Sequence, residues 1–364
     1  MWKSSEGTTA GLIRLCAGYF FFYVITGITV KYFTGSAARG YPGMEEIEYL
    51  VYSTIGANFV TLSVALILRW YRLTSNRMIT WGKIRFPQEI VYIIPSGICT
   101  AVVIPTTTLM YLLPISVMVA MVIMRASVII ISRTVDAIQI RQGILKKEVY
   151  WEENVAVIFA LLAASVNIMY VAPGDFDFVN SPEAMIILGS YIVAYSIRIY
   201  IMNYYKNTRA KGIKLDNNGF FAIEQIAASV VMFSAAFLLF HSVDWFGAVN
   251  EQFFIFHNAF SEPRPMWFGA VIAGTAFGLV AFFSVFIFMF KGRTATFAGL
   301  VNRLTSLVAG TAATLISYVL FQGKFPKTQD WVSLVFIFIA VAFLSRAEKK
   351  RIQELAAAKE IEIH

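Results

Sequence analysis

Three arginines, Arg125, Arg198 and Arg303, lie inside long apolar stretches of this chain, and they set the chemical question. A guanidinium keeps its charge under all physiological conditions and offers a planar fork that grips a phosphate or carboxylate with two parallel hydrogen bonds. Placing one at the centre of an apolar span costs about 2.5–3.5 kcal/mol on insertion scales, so each deep arginine calls for an internal partner or a ligand. Glu224 is the only acid well inside such a stretch. One carboxylate can neutralise one of the three, or act as a coupling group that binds a proton. Either way, at least two guanidiniums are left to backbone carbonyls, water or an anionic solute. Neutral candidates accompany them. Asn302 and Gln225 sit beside Arg303 and Glu224. Tyr191, Tyr195 and Arg198 follow one another at i, i+4 and i+7, and so share a helix face. Thr106, Thr107, Thr108 and Tyr111 follow Pro105, a residue that kinks a helix; the threonines can line a cavity or bond back to their own helix. Asn58, Asn167 and Asn203 read as helix-packing residues.

The elements that must hold these groups are membrane helices. The chain has 364 residues, 58% of them hydrophobic and 14% charged. An ordinary soluble domain carries about 25% charged residues, so a soluble enzyme, a disordered tail and a nucleic-acid reader are all poor readings. At about 20 residues per span, the apolar content suffices for about ten helices. Apolar runs place them near 10–33, 49–68, 88–111, 115–132, 154–171, 184–205, 220–241, 266–290, 295–320 and 331–345. The first is too long for a signal-peptide core and reads as a retained span. The expected fold is therefore an all-α integral membrane protein of ten helices.

The loops orient it. With the N-terminus inside, inner segments collect 21 of the 30 basic residues, in clusters such as Arg69, Arg72, Arg77, Lys83 and Arg85 or Arg346, Lys349, Lys350 and Arg351. Outer loops hold only Arg39, Arg264, Lys324 and Lys327. The positive-inside rule then puts both termini in the cytoplasm, which explains the net charge of +8 without nucleic acid. Residues 346–364 read as a cytoplasmic continuation of the last helix, with Lys350 and Glu354 at the spacing of a helical ion pair. Arg14 and Lys31 lie near the ends of the first span and can snorkel to the headgroups. Cys16 and Cys99 are apolar-span residues, and His241, His257 and His364 are scattered. The sequence offers no disulfide framework, metal site, cofactor motif or catalytic grouping, so an enzyme is not expected.

A repeat divides the ten spans. Gln142-Gly143, Lys147 and Trp151 match Gln322-Gly323, Lys327 and Trp331 at identical spacing, a QGxxxKxxxW pattern. Arg125, followed two positions on by Ser127, precedes the first copy, as Arg303 followed by Thr305 precedes the second. Counted from expected inner ends at Arg133 and Ala295, both arginines lie eight residues deep. Copies five spans apart have opposite orientation in the membrane. The expected layout is thus two inverted five-helix halves, 10–171 and 184–345, an arrangement characteristic of alternating-access transporters.

On these residues the chain resembles the drug/metabolite transporter superfamily, in its EamA-like and nucleotide-sugar carrier branches. Gly299-Leu300-Val301-Asn302-Arg303 resembles the GALNK motif of GDP-mannose carriers, keeping the glycine, the asparagine and a basic residue. Phe220-Phe221-Ala222-Ile223-Glu224-Gln225 stands where those carriers have FYNN, with Glu-Gln in place of Asn-Asn. The resemblance implies a secondary transporter that exchanges or exports an anionic metabolite, a nucleotide sugar being favoured, through a site lined by spans three, four, eight and nine with seven nearby. The expected partners are that small solute and the lipid bilayer, with a homodimer allowed. A bacterial inner membrane is favoured, or a Golgi or ER membrane if the source is eukaryotic. The alternatives are a general amino-acid or drug exporter of the same fold, or a membrane interaction protein that transports nothing.

Overall fold

The computed structural model describes residues 8–112, 117–166, 181–210, 212–247, 251–321 and 325–363. Eleven α-helices account for most of them: α1 (Thr9–Phe33), α2 (Glu46–Ile67), α3 (Ile90–Leu112), α4 (Val117–Arg141), α5 (Trp151–Ser165), α6 (Pro182–Asn207), α7 (Asn217–Phe246), α8 (Glu251–Ser261), α9 (Trp267–Phe288), α10 (Ala295–Phe321) and α11 (Thr328–Ile363). Among the described residues, eight helices are long and apolar enough to cross a bilayer: α1, α2, α3, α6, α7, α9, α10 and α11. The remaining expected spans, the fourth and fifth, fall on α4 and α5. The chain is an all-α, multi-pass membrane protein. Its surface agrees with that solvent: Phe59, Ile186, Val230, Phe237, Val319 and Phe338 point outward, whereas Glu48, Glu89, Asp136, Glu224 and Arg293 are buried.

Local chemistry sets the helix ends. Thr8 caps α1 by accepting from the Gly11 amide, and Glu45 and Glu48 form a reciprocal capping box on α2. Ser181 caps α6, which starts at Pro182. Asp216 caps α7, which stops at Gly247 in the left-handed region, φ 58°. These devices satisfy the amides and carbonyls that a helix end leaves open.

Hydrogen bonds gather one end of every long helix together. Thr9 at the start of α1 bonds Glu348, past the middle of α11. Glu89, just before α3, pairs with Arg209, just after α6, and Thr74 beyond α2 bonds Asp216 at the start of α7. Gln139 at the end of α4 donates to the Tyr200 carbonyl of α6, and Lys206 donates to Phe288 at the end of α9. Thr294, entering α10, donates to Glu153 at the start of α5. Helices α1 to α7 and α9 to α11 therefore alternate in direction along the chain, and the loops that meet here are the basic ones.

Close backbone approach packs the bundle. Gly56 of α2 lies against the Val271 carbonyl of α9, Gly274 of α9 against the Ser53 backbone, and Gly278 against the Ala57 backbone. Gly97 of α3 admits the Glu224 carbonyl of α7 in the same manner. Small residues allow this without the hydrophobic driving force that water supplies to soluble helices. Beyond these two pairings, α1 packs on α9 and α10, α6 on α3 and α4, α4 on α10, and α5 on α11.

Several expectations are corrected. The inner segment after α2 is not a plain loop: β1 (Met78–Trp81) and β2 (Ile84–Pro87) form an antiparallel hairpin. The expected outer loop after α7 contains α8. Helix α4 continues two turns past Arg133 to Arg141, because Asp136 and Gln139 find buried partners there. The 346–364 segment is continuous with α11, but Lys350 does not pair with Glu354. It pairs with Glu152 of α5, and Arg351 takes Glu354. Gln322 and Gly323 lie outside the described residues; Gly143 closes the C-terminal turn of α4 at φ 70°.

Candidate functional site

The site is built on the α4–α10 crossing. Asp136 accepts from the Ala295 and Thr296 amides at 2.8 and 2.6 Å, so a carboxylate of α4 caps the start of α10, where the helix dipole is positive. One turn farther in, Gly299 packs on Ser132. These two contacts fix an antiparallel register that sets Arg125 opposite Ser306, about 4.5 Å along the axis from Arg303. The equal depth expected from the helix ends is not met, since α4 ends eight residues later than the sequence implies. Instead, the Arg125 side chain reaches Gly310, two turns along α10 from Arg303.

Arg303 lies over the Tyr195 ring with its guanidinium carbon 5.3 Å from the centroid, and Tyr195 stacks with Tyr191 at 4.8 Å. The Arg303 Nε is buried with no hydrogen-bond partner. Neither Arg303 nor Arg125 has a carboxylate partner among the described residues, and both keep part of their surface open within the bundle. Tyr19 of α1 lies within electrostatic reach of both guanidiniums. The result is a cationic centre walled by tyrosine. Aromatic faces favour a cation electrostatically but do not neutralise it, so the net positive charge persists.

Asn302, on the neighbouring face of α10, is tied to the edge of this centre through Tyr19. It accepts from the Tyr19 hydroxyl at 3.4 Å and donates to Ser284 of α9 at 3.0 Å, so it ties three helices together. Arg198 differs from the other two arginines. Its Nε and Nη2 donate to the two oxygens of Glu224 at 2.9 and 3.0 Å, both side chains being buried. Ser96 of α3 donates to the same carboxylate at 2.6 Å. Glu224 thus takes one arginine of the three and joins α3, α6 and α7. Beside it, Gln225 is buried with its Nε2 unpartnered. Thr106 and Thr107 return their hydroxyls to carbonyls of α3 at Val102 and Val103. The side chains of Thr108 and Tyr111, and Asn167, lie outside the described residues. Asn58 and Asn203 donate to carbonyls one turn back in their own helices.

Pro105 lines a different space. An apolar cavity of about 570 Å³ lies between α2, α3, α7 and α8, walled by Ile55, Ile104, Met232, Phe237, Phe240 and Phe256 among others. It contains none of the arginines.

The sequence did not single out Tyr19, whose aromatic run Tyr19-Phe20-Phe21-Phe22-Tyr23 hides which ring faces inward. Nor did it mark the ionic cluster at the basic end. There Arg293 pairs with Glu348, and Arg351 contacts Glu153 at 3.6 Å and donates to the Glu148 carbonyl at 2.7 Å. Lys147 donates to the Gly292 carbonyl at 3.1 Å. Burial, with Arg351 and Arg293 nearby, holds the Lys147 ammonium down to about 8. Among the described residues no group of His, Cys, Asp and Glu has the makings of a metal site.

No protein-family model matches the chain, and no curated protein matches it. Comparison with solved structures finds a neighbour described only as "Crystal structure of protein". It is 12% identical, with a TM-score of 0.57 over 94% of this chain and 99% of that one. The likeness is one of fold, extending over nearly the whole of both chains.

Proposed function

We propose that the protein is a secondary transporter of the drug/metabolite type that exchanges or exports an anionic metabolite, a nucleotide sugar being the leading substrate class. The observation that carries this reading is the pair Arg125 and Arg303: two guanidiniums on adjacent helices deep in an apolar bundle, with the one deep carboxylate already engaged by Arg198. A purely structural arginine at such depth would be neutralised, because an unpaired buried charge is strongly unfavourable. An anion bridging the two supplies the missing charge, and the flanking tyrosines offer hydroxyls and ring faces to a sugar or base.

The packing supports two inverted halves of five spans. If α1 to α5 correspond in order to α6, α7, α9, α10 and α11, then α2 on α9 answers α7 on α3, α1 on α9 answers α6 on α3, and α1 on α10 answers α6 on α4. Every corresponding pair runs in opposite directions. Rocking of such halves about the α4–α10 crossing exposes the arginine pair to one side and then the other. The basic end then faces the cytoplasm.

Counterflow in proteoliposomes tests the reading, with panels of nucleotide sugars, nucleoside monophosphates, sugar phosphates, amino acids and cationic drugs. Exchange of an anionic solute is expected, abolished by Arg303→Ala and by Arg125→Ala in protein shown to be correctly inserted. Exchange confined to neutral or cationic solutes and indifferent to both substitutions refutes it, and would favour the general exporter.

A further inference from the structure

The β1–β2 hairpin between α2 and α3 contributes no residue to the arginine centre, and its two faces differ: one is apolar throughout, the other carries Met78 and Pro87 at the root and Thr80 and Arg85 toward the tip. Paired residues in an antiparallel ladder share a face, and successive pairs alternate. Ile79 pairs with Phe86 and Trp81 with Ile84, so one face is wholly apolar; Thr80 pairs with Arg85 on the other. Gly82, at φ 62°, takes the first central position of the two-residue turn, where a type II′ hairpin requires a positive φ. The apolar face is covered only at its root. Ile79 and Phe86 are partly buried, while Trp81 is 81% and Ile84 69% exposed.

The hairpin is held firmly at its base. Gln88 donates to the Arg77 carbonyl. Buried Glu89 accepts from the Ser75 hydroxyl and the Asn76 amide at 2.5 and 2.6 Å and pairs with Arg209 at 2.8 Å. Its base is therefore fixed at the basic end of the bundle, in the segment that joins the exposed Ile67 and Leu68 at the end of α2 to the start of α3. The whole segment 69–88 carries Arg69, Arg72, Arg77, Lys83 and Arg85 and no acidic residue.

We infer that this hairpin is a lipid-binding element: its tip, Trp81 and Ile84, inserts at the headgroup level of the adjacent leaflet, and Arg77, Lys83 and Arg85 engage anionic phospholipid headgroups. A rooted hairpin with an uncovered apolar tip and an unbalanced positive charge, set beside a membrane-spanning helix, meets the complementary surface in an anionic bilayer. Tryptophan is enriched at that level because its ring is apolar and its N–H polar. Each basic side chain near an anionic surface favours association by about fivefold. The inference is independent of what the protein transports.

The test uses the full chain with Cys16→Ala, Cys99→Ala and Ile84→Cys, labelled at residue 84 with a polarity-sensitive fluorophore, in nanodiscs of phosphatidylcholine with or without phosphatidylglycerol. The expected emission is blue-shifted and is quenched by lipid spin-labelled near the headgroup rather than by an aqueous quencher, with more quenching when phosphatidylglycerol is present. In the combined Arg77→Gln, Lys83→Gln and Arg85→Gln variant the dependence on phosphatidylglycerol should vanish while thermal unfolding stays unchanged. Emission typical of a water-exposed probe in both lipids overturns the inference. So does protection that grows with the number of chains per disc, since that assigns the tip to a protein contact.

Discussion

Glu224→Gln and Arg303→Gln test whether Arg198 holds the bundle together while Arg303, as proposed, serves a ligand. Glu224 receives two hydrogen bonds from Arg198 and one from Ser96, and it is fully buried. The amide that replaces it keeps one acceptor oxygen and turns a donor toward the guanidinium, leaving a buried charge uncompensated. Removing one partner of a buried pair typically costs about 3–5 kcal/mol. With Ser96 able to bond the remaining oxygen, about 3 kcal/mol is expected for Glu224→Gln. Arg303→Gln removes a charge that has no carboxylate partner among the described residues and whose Nε already lacks a hydrogen bond, so its stability should be equal to the parent or higher. The assay is thermal unfolding in detergent beside counterflow on the same preparations. Glu224→Gln should unfold at clearly lower temperature, and the Arg198→Met, Glu224→Met double variant should recover most of the loss, because the pair is removed together. Arg303→Gln should unfold normally and transport nothing. If Arg303→Gln unfolds as early as Glu224→Gln, the guanidinium is a structural tie and the anion-site reasoning fails.

Two further outcomes follow from packing and charge. Gly56→Ala sets a methyl against the Val271 carbonyl of α9, and separating two helix backbones should cost about 1–3 kcal/mol, read as a lower unfolding temperature, whereas Gly189→Ala, with nothing near its added carbon, should be neutral. Lys147 titrates near 8 in the folded protein against an ordinary 10.5. The unfolded chain therefore binds the proton more readily between those values, and stability should rise with pH across that window; Lys147→Met should flatten this rise in unfolding measured from pH 7 to 11.

Much of the layout was legible in the sequence because a bilayer is a simple solvent. Length and apolarity suffice to mark a span, and Lys and Arg mark its basic end. Glu224 was recognisable as able to serve only one arginine. The hairpin was not legible, since its strands are four residues each and the alternation of Ile79, Trp81, Ile84 and Phe86 is interrupted by the turn. Helix α8 was hidden because eleven residues fall short of a span. The end of α4 was misplaced because Asp136 and Gln139 look like loop residues until the start of α10 and the Tyr200 carbonyl appear as their partners.

The sequence by itself determined that this chain lies in a membrane as a bundle of long helices, and that three deep arginines share one deep acid. The tertiary structure alone decided which arginine the acid takes, and that Asn302 faces Tyr19 and Ser284 while its neighbour Arg303 faces Tyr195. The physical reason is rotational. Hydropathy is nearly uniform around helices such as α1, α2, α7 and α9, and even around α10 it does not say which partner each polar residue meets. That is set by where Gly56, Gly97, Gly274 and Gly299 let backbones meet, and by ion pairs such as Arg198–Glu224 that form only once separate helices are brought side by side.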